Sequence, residues 1–292
     1  MRNKRFWGKI LAVLLLVIIL GLFVYYVHDH PAVINVLRRL NPWLIVLLIA
    51  LYGIMLVIWM EIYNTILSLC GKPLKIKENL LLTIYSTLAN FFLPLQSGPG
   101  VRAGYLKKRH QVTVSSYIMS TLIYFGFYAV ISAAFLFMFS TYWYLALPAI
   151  IAASAISLVV IYFAKQRFTK KNSAFTLNLD KKILLHLFLL TLAQLCLQTI
   201  IYGIELRSLG LHYNLTRAFS YTGAASFSLF VSLTPGAIGF REAFLEFTKR
   251  IHHFSTTNIL SANLIDRGVF LAFLGLLFIT MLLTHARDKL KI

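Results

Sequence analysis

The sequence predicts an all-α, polytopic integral membrane protein with six full spans, two re-entrant helical hairpins and two inverted-topology repeats. Three observations carry that expectation. The 292 residues contain eight apolar runs, two of those runs are broken by proline and glycine, and the net charge of +19 sorts to one side only if the broken runs turn back. With 59% apolar and 13% charged residues, and a mean hydropathy of +0.79, the chain lies far from soluble proteins, which carry about 25% charged and 45–50% apolar residues. Disorder is excluded by the same figures. Each crossing needs roughly 20 apolar residues, so about six to eight segments fit as one membrane domain over 1–292.

The runs fall at about residues 10 to 27, 43 to 60, 80 to 95, 117 to 139, 143 to 164, 183 to 204, 218 to 233 and 259 to 283. The first follows Arg2, Lys4, Arg5 and Lys9, as a signal peptide would. Its apolar stretch is longer than a typical h-region and has no A-x-A-like exit, so it is expected to stay as a span that starts inside. The third and seventh runs, within 80–101 and 217–240, are rich in Ser, Thr and Asn and then break at Pro94, Gly98 and Gly100 and at Pro235, Gly236 and Gly239. Lipid tolerates a broken backbone only where protein or a wet cavity satisfies it, which makes both runs candidate hairpins.

Lys and Arg count loop by loop separates the topologies. Eight simple crossings put 12 inside and 15 outside, against the positive-inside rule. Letting runs three and seven return puts 20 inside and 7 outside; after acids are subtracted the inner side holds +16 and the outer +3. Both termini are then expected in the cytoplasm, with the chain a multi-pass protein of the cytoplasmic (inner) membrane. The charge surplus becomes an address rather than a sign of nucleic acid, which is not expected as a partner. The basic runs Arg102 to Arg109 and Lys165 to Lys182 are explained by the same topology.

That topology exposes an internal repeat. Span, span, hairpin, span occurs twice, over about 10–139 and 143–283, and three crossings per half invert the second copy. Inverted repeats place binding sites at broken elements near the midplane. LPLQSGPGVRAGYL and LTPGAIGFREAFL share a proline, a Gly-x-Arg and an apolar continuation, with Arg102 and Arg241 139 residues apart.

Both arginines follow a break and open a helical segment, beside backbone N–H groups free at a helix start. The arrangement suits an anion, which a guanidinium can grip through two parallel bonds. An arginine at depth costs about 2.5–3.5 kcal/mol on insertion scales and needs a partner or a wet cavity; the competing roles are snorkelling and a structural ion pair, for instance with Glu242. Asp266 and Arg267 sit inside the last span, and neighbours in sequence do not face each other on a helix, so each needs a partner elsewhere. A polar site shared with Arg241 and a helix-packing salt bridge both fit. Thr191, Gln194, Gln198, Tyr202 and Glu205 share one helical face, which either lines a head-group path or binds helices together. Asn90 contacts ligand or satisfies freed backbone groups. The glycines at the breaks permit tight turns and close approach.

Other chemistry finds no footing. Cys70 and Cys196 lie on unrelated segments and read as packing residues; His252 and His253 have no ligand-spaced companions. There is no HExxH, GxxxxGK, GxSxG or GxGxxG, so metal, nucleotide and serine-hydrolase chemistry lack support and no cofactor is expected.

Asn90, Pro94, Gly100 and Arg102, in N-x-x-x-P followed by G-x-R, and Ser232 to Ala243, in S-L-T-P-G-x-x-G-x-R-E-A, together with the spacing of the runs, carry a resemblance over essentially the whole chain. It resembles the transmembrane domain of lysylphosphatidylglycerol synthases/flippases, the flippase-like family. The second motif is the more specific. In the first, Ser97, Gly98, Pro99 and Gly100 stand where the family pattern has a Gly-Glu pair. The resemblance implies movement of an anionic, aminoacylated or polyprenyl-phosphate lipid between leaflets. In the full-length synthases a soluble aminoacyl-transferase domain follows; here Ile292 comes nine residues after the last run, so no lysyl transfer by this chain alone is expected. The second class is a phosphatidylglycerol lysyltransferase-related enzyme, and the third an accessory or scaffold subunit of a separately encoded transferase. A homo-oligomer is compatible with each.

In the two-hairpin topology, cysteines placed by Lys108→Cys and Lys249→Cys react with a membrane-impermeant maleimide from opposite faces. Labelling of both from one face overturns it.

Overall fold

The computed structural model describes residues 40–92, 97–138, 140–171, 177–210, 214–231 and 240–289. The first apolar run, and Pro94, Pro235, Gly236 and Gly239, lie outside the described residues. The described elements are all helical: α1 (Pro42–Leu69), α2 (Ile76–Phe92), α3 (Gly98–His110), α4 (Val114–Met138), a short 3-10 turn (Trp143–Leu145), α5 (Ala146–Lys171), α6 (Lys181–Ser208), α7 (Leu215–Val231), α8 (Phe240–Phe247), α9 (Lys249–His252) and α10 (Thr256–Lys289).

The helix ends follow local chemistry. Asn41 caps α1 by accepting from the Trp43 N–H at 3.0 Å, with Pro42 in the first turn; Asp180 does the same for Lys182 at 2.9 Å ahead of α6. Past their ends the chain reverses through Gly71 (φ 69°) and Gly210 (φ 73°), in the left-handed region that favours glycine. These caps and turns, Asn41 with Asp180 and Gly71 with Gly210, are 139 residues apart, and α1 and α6 have 28 residues each.

Among the described residues five helices are long and apolar enough to cross a membrane: Pro42–Leu69, Val114–Met138, Trp143–Phe168, Lys181–Ser208 and Thr256–Thr280. The two broken runs form shorter helices. α2 and α7 have 17 residues each, about 25 Å at 1.5 Å per residue, short of a hydrocarbon core of about 30 Å. The face of α5 that carries Leu147, Ile151, Leu158 and Phe163 is open, as is that of α1 with Trp43, Val46 and Val57; lipid tails accept such surface without the cost it has in water.

α2 and α3 pack antiparallel in a single register. Gly98 N–H donates to Asn90 Oδ1 at 2.7 Å, Arg102 Nε to Ser86 Oγ at 2.8 Å, and Glu78 Oε1 pairs with His110 Nε2 at 2.7 Å. Each step down one helix is matched by an equal step up the other. Gly98 permits this approach, since a Cβ there would lie 2.5 Å from Asn90 Oδ1 and 2.6 Å from the Ser86 carbonyl. Close approach was also expected at Gly100, but a Cβ there meets nothing within 4 Å. α7 and α8 meet through Phe227 on Phe244, and α9 closes on α7 through Tyr221 against His252.

Two apolar clusters hold the helices together. One joins the first half of α1 to α2, α6, α7, α8 and α10 through Leu48, Met55, Leu88, Ile201, Leu245 and Ile265; the other joins the second half of α1 to α3, α4 and α6 through Ile62, Ile66, Leu106, Tyr124 and Leu195. α4 meets α7 backbone to backbone, because a Cβ on Gly223 would lie 2.3 Å from the Leu136 nitrogen.

Gly223→Ala is therefore expected to destabilise the protein by about 1–3 kcal/mol, through overpacking. Gly53→Ala, where a Cβ meets nothing within 4 Å, gains helix propensity instead. Thermal unfolding in detergent compares the two. A second outcome concerns Glu78. The hydrogen bond from Tyr105 at 2.5 Å, and behind it His110, hold its carboxyl below the usual range against partial burial; burial and then Glu78 push the Tyr105 phenol up to about 12. A lowered folded-state value stabilises at neutral pH, and that contribution is lost as pH falls through it. Glu78→Gln should therefore lower Tm at pH 7, with the gap to the parent protein closing on acidification.

Candidate functional site

Arg102 rises from the second turn of α3 into the space between α1, α2 and α4 and is only 3% exposed. Its Nε and Nη2 donate to Ser86 Oγ, and the guanidinium lies over the Tyr63 ring. The Tyr117 hydroxyl from α4 bonds to it as well; two hydroxyls do not neutralise a guanidinium, and among the described residues no carboxylate pairs with Arg102. It borders a cavity of about 1010 Å³, lined by Asn90, Gly98 and Gly100 at the break, Tyr117, Tyr124 and Tyr128 from α4, and Gln194 from α6. Tyr124 donates to Gln194 Oε1 at 3.0 Å, so those two hydroxyl and amide groups are held as one wall. Trp59, Phe125 and Phe230 complete the lining with apolar surface.

Arg241, at the start of α8, has a different environment. Its Nη1 donates to Asp266 Oδ2 at 2.5 Å, the other Asp266 oxygen accepts from Tyr52, and the guanidinium stands 4.9 Å from the Tyr202 ring centre. Next along both helices, Arg267 Nη2 donates to Glu242 Oε1 at 2.6 Å. α8 and α10 are thus joined by two parallel ion pairs. Asp266 and Arg267 find partners on another helix, and Glu242 pairs with Arg267 rather than with Arg102 or Arg241, since successive residues on α8 address successive residues on α10. Ion pairs this buried contribute little net stability, though breaking one strands a charge.

The polar face of α6 divides between the two places. Gln194 reaches the Arg102 cavity, Tyr202 stacks on Arg241, Thr191 bonds back to the Leu187 carbonyl, and Glu205 is buried. Gln198 is half-buried and does not line the cavity. Arg102 and Arg241 therefore occupy separate sites. Between them stands Tyr128, which lines the cavity and is hydrogen-bonded to Ser226 on α7 within electrostatic reach of Arg241.

Sequence reasoning missed Tyr52 and Tyr124, which sit in apolar runs without disturbing their periodicity, and Tyr63, three residues past the end of the second run. A signal existed for one: Tyr63 and Tyr202, the rings under the two guanidiniums, are 139 residues apart, as the arginines are. No group of three His, Cys, Asp or Glu that could hold a metal ion occurs among the described residues.

No curated protein matches the chain. The sequence pattern of the family described as the lysylphosphatidylglycerol synthase TM region matches residues 9–277. With that match spanning nearly the whole sequence and five described helices able to cross a bilayer, this multi-pass membrane protein belongs to the lysylphosphatidylglycerol synthase TM region family.

Proposed function

We propose that the protein is a lipid translocase that moves an anionic, aminoacylated or other phosphate-bearing lipid between the leaflets of the cytoplasmic membrane. The observation that carries this reading is Arg102, a buried cation without a carboxylate partner among the described residues, at the wall of a polar cavity of about 1010 Å³. A cavity of that size accommodates a phospholipid head group, since ligand sites span about 300–1,000 Å³. Its positive charge selects anions, and Asn90, Gln194 and the tyrosine hydroxyls supply orienting hydrogen bonds. The acyl chains stay in lipid.

The recurrence of elements supports two inverted-topology repeats. Starts of α1 and α6, and of α2 and α7, differ by 139; those of α3 and α8, and of α4 and α10, by 142. In this reading α2 with α3 and α7 with α8 are re-entrant hairpins entering from opposite faces, both termini are cytoplasmic, and Arg102 and Arg241 meet the head group from the inner and outer sides. Asp266, Arg267 and Glu242 set the charge of the outer site. Membership of a family tied to aminoacyl-phospholipids makes phosphatidylglycerol and its aminoacyl esters the first lipids to test.

In vesicles carrying head-group-labelled phosphatidylglycerol, Arg102→Ala is expected to slow crossing at least tenfold, equivalent to about 1.4 kcal/mol. Arg102→Lys, which keeps charge but loses the planar fork, should retain part of the rate. The Arg102→Ala/Arg241→Ala double variant should abolish crossing; an unchanged leaflet distribution at equal protein density would sink the assignment.

A further inference from the structure

Glu205, in the last turn of α6, is 1% exposed, and among the described residues no donor gives either carboxyl oxygen a hydrogen bond. The group at hydrogen-bonding range is another carboxyl, that of Asp266. Two carboxylates cannot share a hydrogen bond without a proton between them. Both Asp266 oxygens already accept, from Tyr52 and from Arg241, so a proton shared by the two carboxyls is placed on Glu205. Charge leads to the same place. Among the described residues, Glu205, Asp266 and Glu242 face Arg241 and Arg267, an excess of one negative charge that one proton removes. The other groups around the pair are neutral hydroxyls: Tyr52 from α1, Tyr202 from α6 and Tyr221 from α7, with His252 edge-on behind Tyr221 and Asn263 one turn along α10.

Arg241 supplies the other half. Among the described residues its Nε and Nη2 are buried with no acceptor in bonding geometry, as is Arg267 Nη1, and the Tyr221 hydroxyl stands beside the Arg241 guanidinium. With Glu205 protonated, those Arg241 donors are free for an incoming oxyanion. Once the Glu205 O–H bond breaks and its proton leaves to water, the carboxylate has two acceptors to offer the same donors.

We infer that Glu205 is a proton-binding site linked to anion binding at Arg241, so that a proton and a phosphate-bearing anion enter and leave the cluster together. The inference rests on the head-group reading above and adds its energy source: a proton gradient drives the anion in the direction the proton runs. The linkage is reciprocal, because whatever binds better to the protonated form also raises proton affinity. Phosphate chemistry alone does not separate a lipid head group from free phosphate, so both serve as probes.

Two measurements on the purified chain in detergent test it. Infrared difference spectra at neutral pH should show the carbonyl band of a protonated carboxylic acid in the parent protein and lose it in Glu205→Gln, which mimics the protonated form in shape and charge. Addition of short-chain phosphatidylglycerol in weak buffer, at the higher pH where that band has disappeared from the free parent protein, should take up about one proton per lipid bound in the parent protein and none in Glu205→Gln, which still binds. Inorganic phosphate is the second arm: uptake with it as well shows that the phosphate group suffices, and uptake with the lipid alone assigns a lipid site, either result supporting the linkage. A parent protein without the carboxylic-acid band, or a Glu205→Gln variant that still takes up a proton, overturns it. A parent protein that shows the band but binds neither probe overturns the head-group reading and the linkage, and leaves the protonated Glu205 standing.

Discussion

Holding a guanidinium inside a membrane protein is the constraint around which the rest is arranged. A buried arginine costs several kcal/mol unless its charge and its donors are met. Both arginines meet part of that cost by one device, a tyrosine ring from a preceding long helix beside the cation, Tyr63 for Arg102 and Tyr202 for Arg241. A cation over an aromatic face recovers about 0.5–2 kcal/mol, which is a partial offset. The remainder has to come from hydrogen-bonding partners, and there the two sites diverge. Arg102 has the Ser86 hydroxyl and a polar cavity; Arg241 has Asp266 and an acidic surrounding.

The divergence decides what each site can do. A cation without a fixed counter-ion keeps its field for a ligand, and low dielectric strengthens that field. A cation already paired is held in place, and its remaining chemistry depends on the protonation of its neighbours. The Arg102 cavity is thus suited to capture, while the Arg241 cluster is suited to exchange. Backbone contact of α4 with α7 at Gly223 brings these unlike sites onto one frame, with Tyr128 between them.

Much of the fold was legible because lipid imposes a strong, simple pattern. Long runs of apolar residues gave the five described spans, and the two runs followed by clustered Pro and Gly are the ones that form the shorter helices α2 and α7. The α6 stripe was legible because Gln194 and Glu205 are costly in lipid and must face inward. Pairing was harder to read. Glu242 lies next to Arg241 in sequence, yet the helical turn sends them to different residues of α10. Tyr52 and Tyr63 were hidden because a tyrosine inside an apolar run or at its edge is as compatible with packing as with holding a charge. Register between α2 and α3 was beyond sequence alone, since it depends on the hydrogen Gly98 carries in place of a side chain.

That register bears on how the chain assembles. From the tip outward the contacts of α2 with α3 join residues 8, 16 and 32 apart, so each closes a loop twice as long as the last. Doubling a loop adds only about 0.6 kcal/mol of closure entropy, and short-range contacts form fastest. The pair can zip from its tip as soon as its own residues emerge, before α6 or α10 has been synthesised. Arg102 then acquires Ser86 within the nascent first half, whereas Arg241 must wait for Asp266, 25 residues further on. The two arginines are thereby separated in time of burial as well as in place, the unpaired one being enclosed first.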